Sequence, residues 1–481
     1  MMNYAYSPRS SFFILHSSFA PALAVLLGCG LGILVAMGSP AVALALAAGL
    51  AVGLAVTASP TAALLALVAV ASLLPFGVIP IQFGVQLTVA DALLGALLLG
   101  WLARVPYGRA RLELTAPGRP LLLYIVVAGL ALLAGAIYVP LSGPVVRSFV
   151  KYACAILLML AVVNVVQTRA QLVALTRALV LCGALAAMIG LVVQSLPQQT
   201  IVDLLSSLSV VGYPSGLDVL RFRPGPNNTY TDVLRATGTS IDPNVFGGLL
   251  MLAAALTVGQ LLSSSPVLPR PALVSFAAVD VAAMVATYSR GAWVGLAVAL
   301  AFMATFRYRP LWVALIAAAL MLAYLPMGRD MLGHLMAGLA AADRATALRL
   351  DEYRQALRLI GEYPVLGVGF GGAPEVGSFV GVSSIYLLVG EQTGLVGLGL
   401  YLATLATLLV GSFRASAAAP AEDRGLIASL QAALVAALTA GFFDHYFMNP
   451  QFPHMVALFW LYAGLLVVAA RRTAGNVGQA T

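Results

Sequence analysis

The chain is a succession of long apolar runs separated by short polar connections. A membrane-spanning helix needs roughly 20 predominantly apolar residues, and these runs are typical of such helices. The pattern predicts an all-α, polytopic integral membrane bundle of about 12–14 transmembrane helices, the lower number applying if the short early segments pair as hairpins. The predicted spans are residues 19–37, 41–58, 61–80, 86–104, 120–139, 146–166, 172–194, 245–263, 271–289, 291–307, 310–326, 384–412, 424–443 and 453–470.

Composition supports a membrane protein and excludes a soluble one. Hydrophobic residues make up 61% of the chain and charged residues 9%, whereas soluble domains carry about 25% charged residues. The formal charge of +8 is not taken as a sign of nucleic-acid binding, because basic residues in membrane proteins set orientation and meet anionic lipid. Cys29, Cys154 and Cys182 fall inside apolar spans, so no disulfide or metal framework is predicted. The first apolar run is interpreted as a retained span, and residues 1–481 as one domain.

Arginines are concentrated in alternate connections between the predicted spans. Cytoplasmic connections of membrane proteins are enriched in Lys and Arg, which places the N-terminus inside. Two long connections, residues 196–244 and 327–383, then lie on the extracytoplasmic side. The arginines assigned to the cytoplasmic side are Arg104, Arg109, Arg111, Arg119, Arg169, Arg177, Arg270, Arg307, Arg309, Arg414, Arg424, Arg471 and Arg472.

The second long loop contains a predicted amphipathic helix over residues 342–362, ended by Gly361 and Pro364. At about 100° per residue, Arg349 lies opposite the polar stripe and beside Tyr353, Leu357 and Ile360. Arg349 either extends along apolar surface to water or points into a cavity that this face covers. In the second interpretation, Arg349 and Tyr353 are candidate substrate-binding residues.

A polar motif precedes the span at 245. It contains Arg235, Thr239, Asp242, Pro243 and Asn244. Such residues are ordinary helix caps, yet a cap needs only two or three of them. A helix N-terminus also offers backbone N–H groups to an anion, so Arg235, Thr239, Asp242 and Asn244 are candidates for binding one.

Two further cationic sites stand at the predicted outer ends of spans. Arg290 lies between two apolar spans joined by almost no connection, and Arg147 and Lys151 share one helix face because they are four residues apart. Each has a structural alternative, such as anchoring a turn at the interface. Gathered together, these groups could hold a diphosphate.

The last motif runs from Arg349 through a glycine run at residues 367–372 to Ser383, Glu391 and Gly397. Glycines in such a run indicate a turn or a close approach of two backbones. A nucleotide loop is not predicted, because the run follows a helix on the outer side, where no ATP is expected.

Taken in order, these motifs resemble the O-antigen ligase and polymerase superfamily of bacterial envelope glycosyltransferases. The resemblance covers roughly residues 235–397. It implies a metal-independent, cofactor-free glycosyl transfer at the outer face of the bacterial cytoplasmic (inner) membrane. It also implies a glycan donor on undecaprenyl pyrophosphate and a saccharide or glycolipid acceptor. Arg235 and Arg290 match arginines that would neutralise the pyrophosphate leaving group.

The chain departs from the family pattern at one place. The family commonly has His-Asn where this chain has Ser383 and Ser384, and a serine hydroxyl is a poor proton acceptor. If the alignment slips, the base could be His334, Glu391 or His445, of which His445 stands beside Asp444. Alternatively, the reaction needs little base assistance, or the chain has lost catalysis.

Other function classes remain open at this point. Ligase and polymerase differ in their acceptor, which the sequence does not specify. A polysaccharide or glycolipid transporter or flippase is the main alternative, although paired half-sequences with broken spans are not evident. A non-catalytic member of an export complex is the third.

Overall fold

A computed structural model describes residues 59–79, 87–108, 112–224, 230–324, 328–330, 332–333, 336, 344–372 and 381–478. The first two predicted spans, Cys29 and His334 lie outside the described residues. In chain order, the described α-helices are α1 (Pro60–Leu73), α2 (Val89–Leu102), α3 (Gly118–Gly135), α4 (Gly143–Val165), α5 (Arg169–Ser195), α6 (Gln198–Ser207), α7 (Pro243–Leu262), α8 (Arg270–Ala286), α9 (Arg290–Phe306), α10 (Leu311–Tyr324), α11 (Arg344–Glu362), α12 (Ile385–Ala418), α13 (Ala421–Ala440) and α14 (Pro453–Gly478).

The predicted polytopic helical architecture is confirmed. Each predicted span from residue 61 onward coincides with a helix, with ends displaced by several residues. By length and composition, six of the described helices could cross a membrane: α3, α4, α5, α7, α12 and α14. The total of 12–14 spans stays a prediction.

The centre of the bundle is α7. It packs against α5, α8, α9 and α13, and almost every residue along it is buried. Small residues allow these close approaches, as in other membrane bundles: a Cβ on Gly259 would lie 2.4 Å from the Ser429 Cβ. Because α7 contacts these neighbours along its length, the segment that precedes it is fixed beside the ends of α8 and α13.

The first long loop, residues 196–244, contains two short strands that the sequence analysis did not predict. Two short antiparallel strands, β1 (Phe222–Pro224) and β2 (Tyr230–Leu234), lead into the α7 motif. The Ala236 N–H then donates to the Ala286 carbonyl at the end of α8 (2.9 Å). This hydrogen bond joins the loop to the bundle.

The predicted amphipathic helix of the second loop is present as α11, and it lies on α12. Its inner face buries Ala356, Leu359 and Ile360. Leu357 was predicted on the apolar face, but it is 58% exposed. The buried stripe is therefore narrower than the sequence pattern indicated, because Leu357 lies at its edge.

The glycine run after α11 is a close-approach element. Its backbone N–H groups at Val368 and Gly369 donate to the carbonyls of Glu391 and Gln392 (2.9 and 3.1 Å). Gly367 has a φ of +64°, and a Cβ there would lie 2.3 Å from the Glu391 carbonyl oxygen. The run thus fixes α11 to the first turns of α12.

Candidate functional site

Four arginines from separate segments meet in one cleft between the loop before α7, the start of α9, the strand β1 and the helix α11. The cleft has a volume of about 80 Å³. One carboxylate, that of Asp444, shares it. The residues that line the cleft are Arg223, Arg235, Asn244, Tyr288, Ser289, Arg290, Gly291, Arg349, Phe443 and Asp444.

Arg235 is held by neutral partners on two sides. Its Nε donates to the Thr287 carbonyl (2.7 Å), and one terminal nitrogen donates to the Asn244 Oδ1 (2.7 Å). The pKa of Arg235 is lowered to about 10, mainly because the side chain is buried. The negative charges of Asp242 and Asp444 raise this pKa, whereas the positive charges of Arg290 and Arg349 lower it. The guanidinium is still charged at neutral pH, and a bound anion would relieve the penalty of its burial.

Arg290 and Arg349 approach the cleft from two different helices. Arg290 is the first residue of α9, after Tyr288, whose backbone φ is +52°. Positive φ is uncommon for a bulky residue, so this tight turn is a constrained feature of the site. Arg349 projects from α11, and one Arg290 nitrogen lies 3.5 Å from the Thr346 Oγ1 on the same helix.

Arg223 is a cleft residue that the sequence analysis missed. Its guanidinium carbon lies 5.3 Å from the centre of the Tyr288 ring, a cation–π contact. Its NH1 donates to the Asp330 Oδ2 at 2.9 Å. The sequence did offer one sign of its role, because Arg223 lies in the same predicted outer loop as Arg235. The pattern that would place the two together, a β-hairpin, was not recognised.

Asp444 is the carboxylate of the cleft. Burial raises the pKa of Asp444 above its usual range, and the charges of His445 and Arg349 partly oppose this. The Asp444 Oδ1 accepts the backbone N–H of His445 (2.8 Å), and the His445 Nδ1 lies 3.5 Å from the same oxygen. His445 is not among the lining residues, and its Nδ1 has no hydrogen-bond partner among the described residues.

The other residues of the α7 motif have separate positions. Asp242 caps α7 by accepting the backbone N–H groups of Asn244 and Val245 (2.7 and 3.1 Å). Asn244 lines the cleft and accepts from Arg235, whereas Thr239 is half-buried in the preceding turn and does not line it. Asp242 therefore has the capping role, whereas anion binding by Arg235, Thr239, Asp242 and Asn244 stays a prediction.

Tyr353 and Ser383 connect α11 to the bundle beside the cleft. The Tyr353 hydroxyl lies within hydrogen-bonding distance of the carbonyls of Phe442 (2.6 Å) and Ser383 (3.0 Å). The Ser383 N–H donates to the Glu352 Oε2 (2.9 Å). Since Phe442 precedes two cleft residues, these contacts position α11, and with it Arg349, against the end of α13.

Three further predicted site residues are also not among those that line the cleft. Glu391 is buried in α12, where its Oε2 accepts the Gly381 N–H (3.3 Å). Lys151 forms an ion pair with Asp91 (2.6 Å), and the Nε of Arg147 donates to the Gly143 carbonyl (3.3 Å). Their roles in catalysis or substrate binding stay predictions.

Fold and site together define a multi-pass helical membrane protein with a cationic cleft suited to an anionic ligand. Residues 273–402 match the family model described as O-antigen ligase. This match confirms the resemblance identified in the sequence, and it supports a glycosyltransferase-like enzyme of the O-antigen ligase or polymerase type. The matched segment includes Arg290, Arg349 and Glu391, whereas Arg235 and Asp444 lie outside it. Comparison with curated proteins gives no match.

Proposed function

We propose that the protein transfers a glycan from an undecaprenyl-pyrophosphate-linked donor to a sugar hydroxyl at the outer face of the cytoplasmic membrane. The observation that carries the proposal is the gathering of four guanidinium groups from four chain segments around one cleft. Guanidinium groups bind phosphate oxygens through paired, charge-assisted hydrogen bonds. Burial is the main cause that lowers the pKa of Arg235, and the charges of Arg290 and Arg349 add to it, so a bound anion would stabilise the charged form.

The cleft volume suits part of such a donor. About 80 Å³ corresponds to roughly five water-sized positions, which is enough for phosphate groups but not for a glycan or a prenyl chain. We therefore place the diphosphate among the arginines. The glycan and the prenyl chain would extend out of the cleft.

The chemical step needs no redox partner. The acceptor oxygen forms a bond to the anomeric carbon, while the bond from that carbon to the diphosphate oxygen breaks and its electron pair leaves with the diphosphate. Negative charge grows on the leaving group, and guanidinium groups already fixed in place stabilise that charge. The acceptor hydroxyl loses its proton to a base.

Asp444 is the base that the geometry favours. It is the carboxylate of the cleft, and its raised pKa brings it closer to the range in which a carboxylate accepts a proton effectively. His445 would then orient Asp444 rather than take the proton itself. Glu391, which the Gly381 N–H binds away from the cleft, is the second candidate.

The test uses purified full-length protein in proteoliposomes with a radiolabelled, lipid-linked glycan. We expect transfer to an added acceptor, or elongation on the carrier, and a strong loss of either in Arg290→Ala. The first product indicates a ligase and the second a polymerase. No turnover together with movement of the glycolipid across the bilayer would refute the enzyme in favour of the transporter. Wild-type activity in both Arg290→Ala and Arg235→Ala would refute the arginine clamp.

A further inference from the structure

A second cleft lies at the opposite end of the bundle. The ends of α12 and α14 form its walls, and the segment before α3 closes it. The Ile385 N–H at the start of α12 donates to the Gly441 carbonyl (2.8 Å), three residues before Asp444 of the arginine cleft, whereas Arg414 lies in the last turns of α12. The two clefts are therefore at opposite ends of α12, and this one lies on the predicted cytoplasmic side.

This inner cleft is large and apolar. Its volume is about 510 Å³, within the range of small-molecule sites. Small side chains leave the space open: no atom lies within 4 Å of a Cβ built on Gly411. The lining residues that carry no charge include Pro117, Leu408, Gly411, Ala415 and Val467.

Two arginines stand at this cleft. Arg471 forms an ion pair with Glu113, so part of its charge is already neutralised. Arg414 also lines the cleft and is exposed, and none of the described carboxylates pairs with it. The cleft therefore combines an apolar interior with a net positive charge.

An unsatisfied hydroxyl adds an independent observation. The Oγ1 of Thr115, which lines the cleft, is buried and has no hydrogen-bond partner among the described residues. Buried polar atoms without a partner are rare in native proteins. Because this oxygen has almost no accessible surface, the Thr115 side chain would have to rotate before a ligand oxygen in the cleft could become its partner.

We propose that this cleft binds one anionic phospholipid of the cytoplasmic leaflet. An acyl chain would lie along Leu408, Gly411 and Val467, while the phosphate meets Arg414 and the Thr115 hydroxyl reaches a phosphate or ester oxygen. Anionic lipids of that leaflet attract basic residues near the membrane surface. This site is separate from the donor cleft and does not depend on the proposed transferase activity.

The test is native mass spectrometry of the delipidated full-length protein titrated with phosphatidylglycerol, with phosphatidylcholine of the same chains as the comparison lipid. We expect one phosphatidylglycerol to be retained in preference to phosphatidylcholine. Arg414→Gln should weaken phosphatidylglycerol binding about fivefold, as expected for one basic residue near a charged surface. Gly411→Leu, which adds a side chain in the open space, should weaken both lipids.

Arg309→Gln is the matched control, because it removes an exposed arginine from another predicted cytoplasmic connection, between α9 and α10. It should bind lipid like the wild type. Unchanged binding in both cleft variants would overturn the proposal, as would an equal loss in Arg309→Gln or equal affinity for the two lipids. Elution profile and thermal stability establish that each variant is folded.

Discussion

Arg349→Gln tests the arginine cleft most directly, because Arg349 reaches the cleft from a helix outside the central bundle. Its positive charge lowers the pKa of the nearby Arg235. Replacing it with a neutral amide removes this repulsion and also the attraction between Arg349 and Asp444, so we expect little net change in thermal stability. Any loss of activity then reports on the ligand rather than on folding.

The size of the effect follows from the contact that would be lost. A hydrogen bond to a charged group contributes roughly 1.5–3 kcal/mol, which corresponds to about a 10- to 150-fold decrease in kcat/KM for the donor. The loss is not expected to be total, since Arg223, Arg235 and Arg290 still line the cleft. The assay is transfer from a lipid-linked glycan by purified protein in proteoliposomes, at several donor concentrations.

Arg354→Gln is the control on the same helix. Arg354 is 75% exposed and pairs with Asp351 one turn away (2.7 Å), so the same chemical change is made outside the cleft. Its kcat/KM should stay within about twofold of the wild type, because exposed ion pairs contribute little. Equal losses in both variants would show a general effect of charge on the loop. Wild-type activity in Arg349→Gln would refute the cleft as the donor site.

Three further predictions concern neighbouring residues. Asp444→Asn should lower kcat by about a hundredfold or more, the low end for general-base catalysis. KM for the donor should stay equal or fall, since a negative charge beside the arginines is lost. Weaker donor binding with an unchanged kcat would contradict the assignment of Asp444 as the base. In the wild type, kcat/KM should rise with pH at a pH above that at which aspartate ordinarily loses its proton, because burial raises the pKa of Asp444. At high pH, kcat/KM should fall near pH 10 as Arg235 loses its proton, and a constant rate through pH 10.5 would argue against that assignment. Gly367→Ala should lower the unfolding temperature in a thermal scan, because Gly367 has a positive φ and no space for a Cβ. Gly361→Ala is the control and should leave that temperature unchanged, because a Cβ there meets no atom within 4 Å.

Apolar periodicity was sufficient to predict most of the helices. A run such as residues 178–193 is apolar along its whole length, and α5 includes it. The ends were less accurate because capping is local. Thr88 forms a capping box with Asp91, so α2 begins at Val89, three residues after the predicted start of that span at residue 86. The strands β1 and β2 were missed because two short segments give almost no periodic signal.

The chain by itself determined the class of protein and the composition of its two long loops. Burying long apolar helices in a bilayer is a property of composition, and the arginine bias among the connections predicts their orientation. Only the tertiary structure decided which arginines meet. Arg223 and Arg235 are joined by the β1–β2 hairpin, but Arg290 and Arg349 are far from them in sequence. The four share one cleft because α7 fixes the loops around it while Tyr353 holds α11 against the end of α13. Charges brought together in this way depend on packing between elements, which local patterns along a sequence do not encode.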